Sequence, residues 1–213
     1  MYKVGYIDDD NSQYDNYKRK LINRHSDIEL IYFDDCITKE DFVQKIYESK
    51  ADVMLIDYKM ANLYGFNGTT LISYINDCVR DVECFILTAV DQDDITDNLV
   101  AERNRFSKTV FDTEGNDEGR IKKLNDFINV IKDSANVFRV RREQKVDDFQ
   151  KLNEKRNEEG LSLKEEEDYL NLYKVLSSYG MVEEIPEKLL GSQFNKQIDD
   201  IIKVGKEIIN DKH

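Results

Sequence analysis

Ala51-Asp52-Val53-Met54-Leu55-Ile56-Asp57-Tyr58 is the stretch on which the fold of this chain turns. Its four consecutive apolar residues, 53–56, have the length of a buried strand rather than of a helix, and they stop abruptly at one carboxylate, Asp57. Two other stretches share the pattern. Residues 2–7 form an apolar and aromatic run that ends in Asp8-Asp9-Asp10, and residues 84–87 form one that ends in Thr88.

Working outward, the segments between these runs have helical periodicity. After the acidic triplet, Asn11 or Ser12 is expected to cap a helix with Tyr14, Tyr17, Leu21 and Ile22 on one face. Residues 29–33 read as a second strand. Thr38 with Asp41 makes a capping box, and Phe42, Val43, Ile46 and Tyr47 form the helical stripe after it. Leu71, Ile72 and Ile75 mark the next helix, preceded by a loop with two glycines, Gly65 and Gly68. A thin stripe of Ile95, Leu99 and Val100 predicts a helix within 91–105, a fifth strand is expected within 106–111, and Ile121, Leu124, Phe127, Ile128 and Ile131 mark an amphipathic helix. Strands alternating with helices at this spacing imply an α/β fold, a five-stranded parallel sheet wound doubly and covered on both faces. In such sheets the functional crevice lies beyond the carboxyl ends of the strands, where Asp8, Asp9, Asp57, Thr88 and Lys108 would meet.

Beyond about residue 134 the strand-like runs cease, and two regions are expected: an α/β domain over 1–133 and an all-α region over 134–213. Gly160 reads as a helix stop, and Ser162 with Glu165 as a capping box opening a helix through Tyr169, Tyr173 and Leu176 that ends near Gly180. Pro186 is placed to start a further helix, and Ile198, Ile201, Ile202, Ile208 and Ile209 stripe a last one. With no Gly/Ser linker between them, the two regions can share a continuous helix.

Composition limits the function. An apolar fraction of 40%, with ten Phe and twelve Tyr, supports a folded core despite 35% charged residues. A formal charge of −13, with the acidity concentrated before residue 134, disfavours DNA binding; no basic recognition helix follows. Two histidines argue against a zinc site or a histidine-based hydrolase. The three cysteines, Cys36, Cys78 and Cys84, form no close pair and read as small buried hydrophobes in a reducing compartment. No apolar run reaches the roughly 20 residues that span a bilayer, so a cytoplasmic location is expected.

Carboxylates converging at strand ends repel one another unless a cation sits between them, and an all-oxygen donor set suits Mg²⁺. Asp8 and Asp9 would hold the ion and Asp57 would add a third oxygen. A carboxylate beside such an ion can attack a phosphoryl group, with Thr88 and Lys108 binding the phosphoryl oxygens.

In their order and spacing, Asp8-Asp9, Asp57 within Asp57-Tyr58-Lys59-Met60, Leu87-Thr88-Ala89 and Lys108 resemble the signature of a receiver domain of the two-component response-regulator family, over residues 1–133. The resemblance implies a flavodoxin-like sheet, Asp57 as phosphoacceptor, and Mg²⁺ held by Asp8, Asp9, Asp57 and the backbone carbonyl of Lys59. It also implies a histidine kinase or phosphotransfer protein as donor, and no enzymatic activity beyond self-phosphorylation and self-dephosphorylation. The family pattern has proline at the positions of Ala61 and Thr109, and an aromatic residue at that of Arg105. Output is expected through protein contacts of the helical region, to another protein or in a homodimer. The alternatives are a phosphorylation-independent pseudo-receiver acting as a constitutive interaction module, and a Mg²⁺-dependent phosphatase; the latter pattern needs a second Asp two residues after Asp57, where Lys59 stands.

Overall fold

The computed structural model describes residues 1–89, 95, 97–113 and 117–182. The apolar run before Asp57 is the central strand of a five-stranded, all-parallel sheet. Its strands are β1 (Tyr2–Ile7), β2 (Ile28–Tyr32), β3 (Val53–Ile56), β4 (Glu83–Thr88) and β5 (Arg105–Ser107), in the spatial order β2-β1-β3-β4-β5. This is the doubly wound, flavodoxin-like topology expected from the alternation of strands and helices. Every residue of β3 is buried, as a strand covered by helices on both faces must be. Val4, Tyr6, Leu55, Phe85, Leu87, Phe111, Leu124, Phe127 and Ile131 belong to one hydrophobic core.

Local chemistry sets the helix starts. Asp10, rather than Asn11 or Ser12, is the first cap: its carboxylate accepts from the Ser12 N–H and opens a short 3-10 turn ahead of α1 (Tyr14–Arg24). A carboxylate one residue earlier reaches the first free amide, so the hydroxyl is not needed. Thr38 and Asp41 form the full reciprocal box at the start of α2 (Lys39–Ser49). The loop after Asp57 contains a single helical turn, α3 (Ala61–Tyr64), before α4 (Gly68–Cys78).

Two expectations need correction. The fifth strand begins at Arg105 and ends at Ser107, because the Ser107 hydroxyl accepts from the Thr109 N–H and turns the chain into a 3-10 segment, Lys108–Phe111. Phe111 then enters the core, its ring 4.1 Å from that of Tyr17. The helix expected within 91–105 is not present among the described residues there. Residues 102–104 form one 3-10 turn, and the Arg105 guanidinium donates to the carbonyls of Ile95, Asp97 and Val100, taking up backbone acceptors in this irregular segment.

The chain divides into two compact units, Met1–Glu143 and Gln144–His213. A 41-residue helix, α5 (Glu118–Glu158), runs unbroken through the boundary, so the change of sequence pattern near residue 134 falls inside a helix. In the second unit, α6 (Leu163–Ser177) starts at the Ser162–Glu165 box, and Phe149 stacks on Tyr169 with ring centroids 4.9 Å apart. Gly160 follows the end of α5 with φ +82, a conformation glycine adopts without strain. The helices anticipated from Pro186 and from Ile198 to Ile209 lie outside the described residues. No described helix is long and apolar enough to cross a membrane.

Within the first unit, α5 is fastened at the amino end of the sheet. Asp52, whose side chain is 2% exposed, accepts from the Lys3 N–H at 2.9 Å and takes a two-point ion pair from Arg139 at 2.9 and 2.6 Å; Arg142 stands 3.7 Å away. The Arg139 guanidinium also covers the Tyr2 ring, 4.7 Å from its centroid. Removing one partner of a buried pair leaves the other uncompensated. Asp52→Ala is therefore expected to lower the unfolding free energy by about 3 kcal/mol in urea denaturation. A loss of a few tenths, as for an exposed pair, contradicts the anchoring role.

Candidate functional site

The sheet order reverses between β1 and β3, and the residues following these two strands meet at that point, as the topology of open parallel sheets requires. Asp8 follows β1 and Asp57 follows β3; both are buried, 1% and 4% exposed. Lys108, the first residue past β5, places its Nζ 2.6 Å from Asp8 Oδ2 and 2.9 Å from Asp57 Oδ1. One ammonium thus bridges two buried carboxylates. Asp57 Oδ2 accepts from the Lys59 N–H at 2.7 Å. Asp8 Oδ1 accepts from the Asp10 N–H at 3.0 Å, and Asp8 Oδ2 also accepts from the Tyr6 hydroxyl. The Tyr32 hydroxyl donates to the Asp8 backbone carbonyl at 2.8 Å.

Asp9 completes an acidic group. Asp8, Asp9 and Asp57 each offer one carboxylate oxygen, and the three oxygens lie within 4.8 Å of one another. This donor set fits a hard divalent cation, which takes oxygen ligands and neutralises converging charge.

Electrostatics at this point are dominated by burial. Burial pushes the Asp57 carboxyl above its ordinary value, and Lys108 offsets only part of that rise. Asp9 is raised as well, by burial and then by the charge of Asp8. Burial works against the Lys108 ammonium, but the combined hydrogen bonds and charges of Asp8 and Asp57 outweigh it and hold the proton more firmly than usual. An Asp57 that resists ionisation is a carboxylate short of positive charge, and an added cation would supply it.

The structure brings Asp8, Asp9, Asp57 and Lys108 together. Thr88 ends β4 on the same edge of the sheet and is fully buried. Lys59 meets Asp57 through its N–H. Asp10, the third member of the acidic triplet, caps the turn that follows and is not part of the group. Two residues that shape the site were not anticipated. Gly68 begins α4 so close to the strand end that a Cβ there would lie 2.0 Å from the Asp57 carbonyl oxygen, so only glycine fits without moving that backbone. Tyr6 is the other; its signal was available, because residues two apart on a strand share a face, and Tyr6 therefore points the way Asp8 does.

Searches against protein-family models and against curated proteins return no match to the chain. Chemically, the arrangement offers a buried carboxylate beside a fixed ammonium and a group of three acids that could hold a metal ion.

The cost of charging Asp57 is testable through pH. Its folded-state value lies above the ordinary 3.8, so the folded form binds the proton more readily than the unfolded one and loses stability as pH rises through that window. In EDTA, Asp57→Asn is expected to be more stable than wild type at pH 7, with the gap closing as pH falls to about 3, where the carboxyl is neutral in both states. A gap that is constant over this range contradicts the assignment.

Proposed function

We propose that the chain is a two-component response regulator whose first unit is a receiver. It accepts a phosphoryl group on Asp57 in a Mg²⁺-dependent manner and passes the signal on through protein contacts of its helical C-terminal region. The observation that carries this reading is the Lys108 ammonium lying between Asp8 and Asp57 at the switch point of a flavodoxin-like sheet. Buried structural ion pairs do not need two further acids at the same place, whereas phosphoryl transfer to a carboxylate needs a nucleophile, a cation site and a fixed positive charge together.

A magnesium ion held by Asp8, Asp9, Asp57 and the Lys59 carbonyl would supply the charge neutralisation that lets an anionic phosphoryl group approach. The chain's own residues do the rest. An Asp57 oxygen forms the bond to phosphorus as the bond to the donor's leaving group breaks. Lys108, already directed at Asp57, donates to a phosphoryl oxygen, and the Thr88 hydroxyl donates to another. The donor is a histidine kinase or a phosphotransfer protein, the output partner is another protein or a second copy of the chain, and the location is the cytoplasm. The chain performs no catalysis beyond forming and losing its own phosphate.

A second reading, a constitutive interaction module with the same fold, is favoured by Arg105. Three positions before Lys108, where the receiver pattern has a movable aromatic ring, its guanidinium is bonded to the carbonyls of Ile95, Asp97 and Val100. One experiment separates the readings. Incubated with acetyl phosphate and Mg²⁺, the full chain is expected to gain one phosphoryl mass, with Asp57→Asn gaining none, and to change its hydrodynamic size or partner binding. Equal labelling of wild type and variant refutes the phosphoacceptor assignment. Labelling without any change of size or binding selects the constitutive module.

A further inference from the structure

We propose that Tyr6 is the positioning residue of the cation site, fixing the Asp8 carboxylate so that its Oδ1 faces the ion; this rests on reading the acidic group as a cation site. The Tyr6 ring is fully buried, and its hydroxyl donates to Asp8 Oδ2. The same oxygen takes the Lys108 ammonium, while Oδ1 takes the Asp10 N–H. A carboxylate offers about four lone-pair sites. Two on Oδ2 and one on Oδ1 are filled, so the remaining site belongs to Oδ1, and that is the oxygen left for a metal. Tyr6 therefore does not compete with the cation. It holds Oδ2 and so opposes rotation about the Cβ–Cγ bond.

The hydroxyl is itself immobile. The Tyr6 ring lies 6.3 Å from Tyr14, 6.0 Å from Tyr17 and 5.9 Å from Tyr32 between centroids, held on three sides by aromatic neighbours. Tyr32, in turn, donates to the Asp8 carbonyl, so two tyrosines hold the side chain and the backbone of one aspartate. A ligand carboxylate restrained in this way binds metal more tightly than a free one, and losing such an outer partner typically weakens metal affinity by about 10-fold or more.

The test uses the full chain and Mn²⁺ as the probe, with free Mn²⁺ followed by its electron paramagnetic resonance signal. Tyr6→Phe is expected to raise the Mn²⁺ dissociation constant about 10-fold. Tyr14→Phe, which removes a hydroxyl donating to the Leu30 carbonyl in the same ring cluster, is expected to keep the wild-type value. A Tyr6 that serves only packing would lower the unfolding temperature in EDTA and leave the constant unchanged; that result overturns the assignment alone. Wild type that binds no Mn²⁺ overturns the cation-site reading and this assignment with it. A second measurement needs no substitution: in wild type labelled with ¹³C-tyrosine, the Tyr6 ζ-carbon resonance is expected to shift on titration with Mg²⁺, and its remaining in place overturns the proposal.

Discussion

Two buried carboxylates share one ammonium at the carboxyl edge of the sheet, and much of the first unit can be understood as holding that arrangement. Asp8 and Asp57 come from parallel strands that neighbour each other because the order in which strands are added to the sheet reverses after β2, and Lys108 arrives from the far edge through a turn set by Ser107. Left unpaired, either acid would carry a desolvation cost comparable to a large share of a domain's stability. The ammonium offsets that cost only in part, as the raised Asp57 carboxyl shows. The residual deficit of positive charge is what makes the group suited to bind a cation and, in the proposed function, an anion brought in with it.

The opposite edge of the sheet has the complementary design. There Asp52, at the start of the same central strand, is surrounded by the Lys3 amide, Arg139 and Arg142, so its charge is matched by nearby donors. One strand thus begins at an aspartate matched by two guanidinium groups and ends at one whose ionisation is opposed by burial. The first fastens α5 to the sheet within its unit; the second is left with its charge only partly offset by Lys108.

The parallel sheet and the four charged residues of the site were legible because each rests on a local rule. A short apolar run ending in Asp57 has the length of a buried strand rather than of a helix, and strand ends at the switch point of a doubly wound sheet converge. The first cap was expected at Asn11 or Ser12 because either side chain suits the position, and only geometry tells that the Asp10 carboxylate turns back to accept from the Ser12 N–H. The turn at Ser107 was missed because Phe106 to Phe111 has a strand's composition, and a side-chain bond to Thr109 overrides it. Nor could the sequence reveal Gly68, whose role depends on a backbone 11 positions away approaching to within contact. Arg105 stood out as a departure from the receiver pattern, but its three carbonyl partners were not predictable.

In the proposed function, Asp57 receives a phosphoryl group whose oxygens are held by the partly buried Lys108 and by Thr88. Fluorine-19 nuclear magnetic resonance of the chain with Mg²⁺ and beryllofluoride, a phosphoryl mimic, tests it most directly. Resonances of bound fluoride distinct from those of the free anion are expected in wild type, and are expected to be lost in Asp57→Asn or on adding EDTA. Spectra showing only free beryllofluoride with the folded wild-type chain, or bound signals that survive Asp57→Asn, would contradict it.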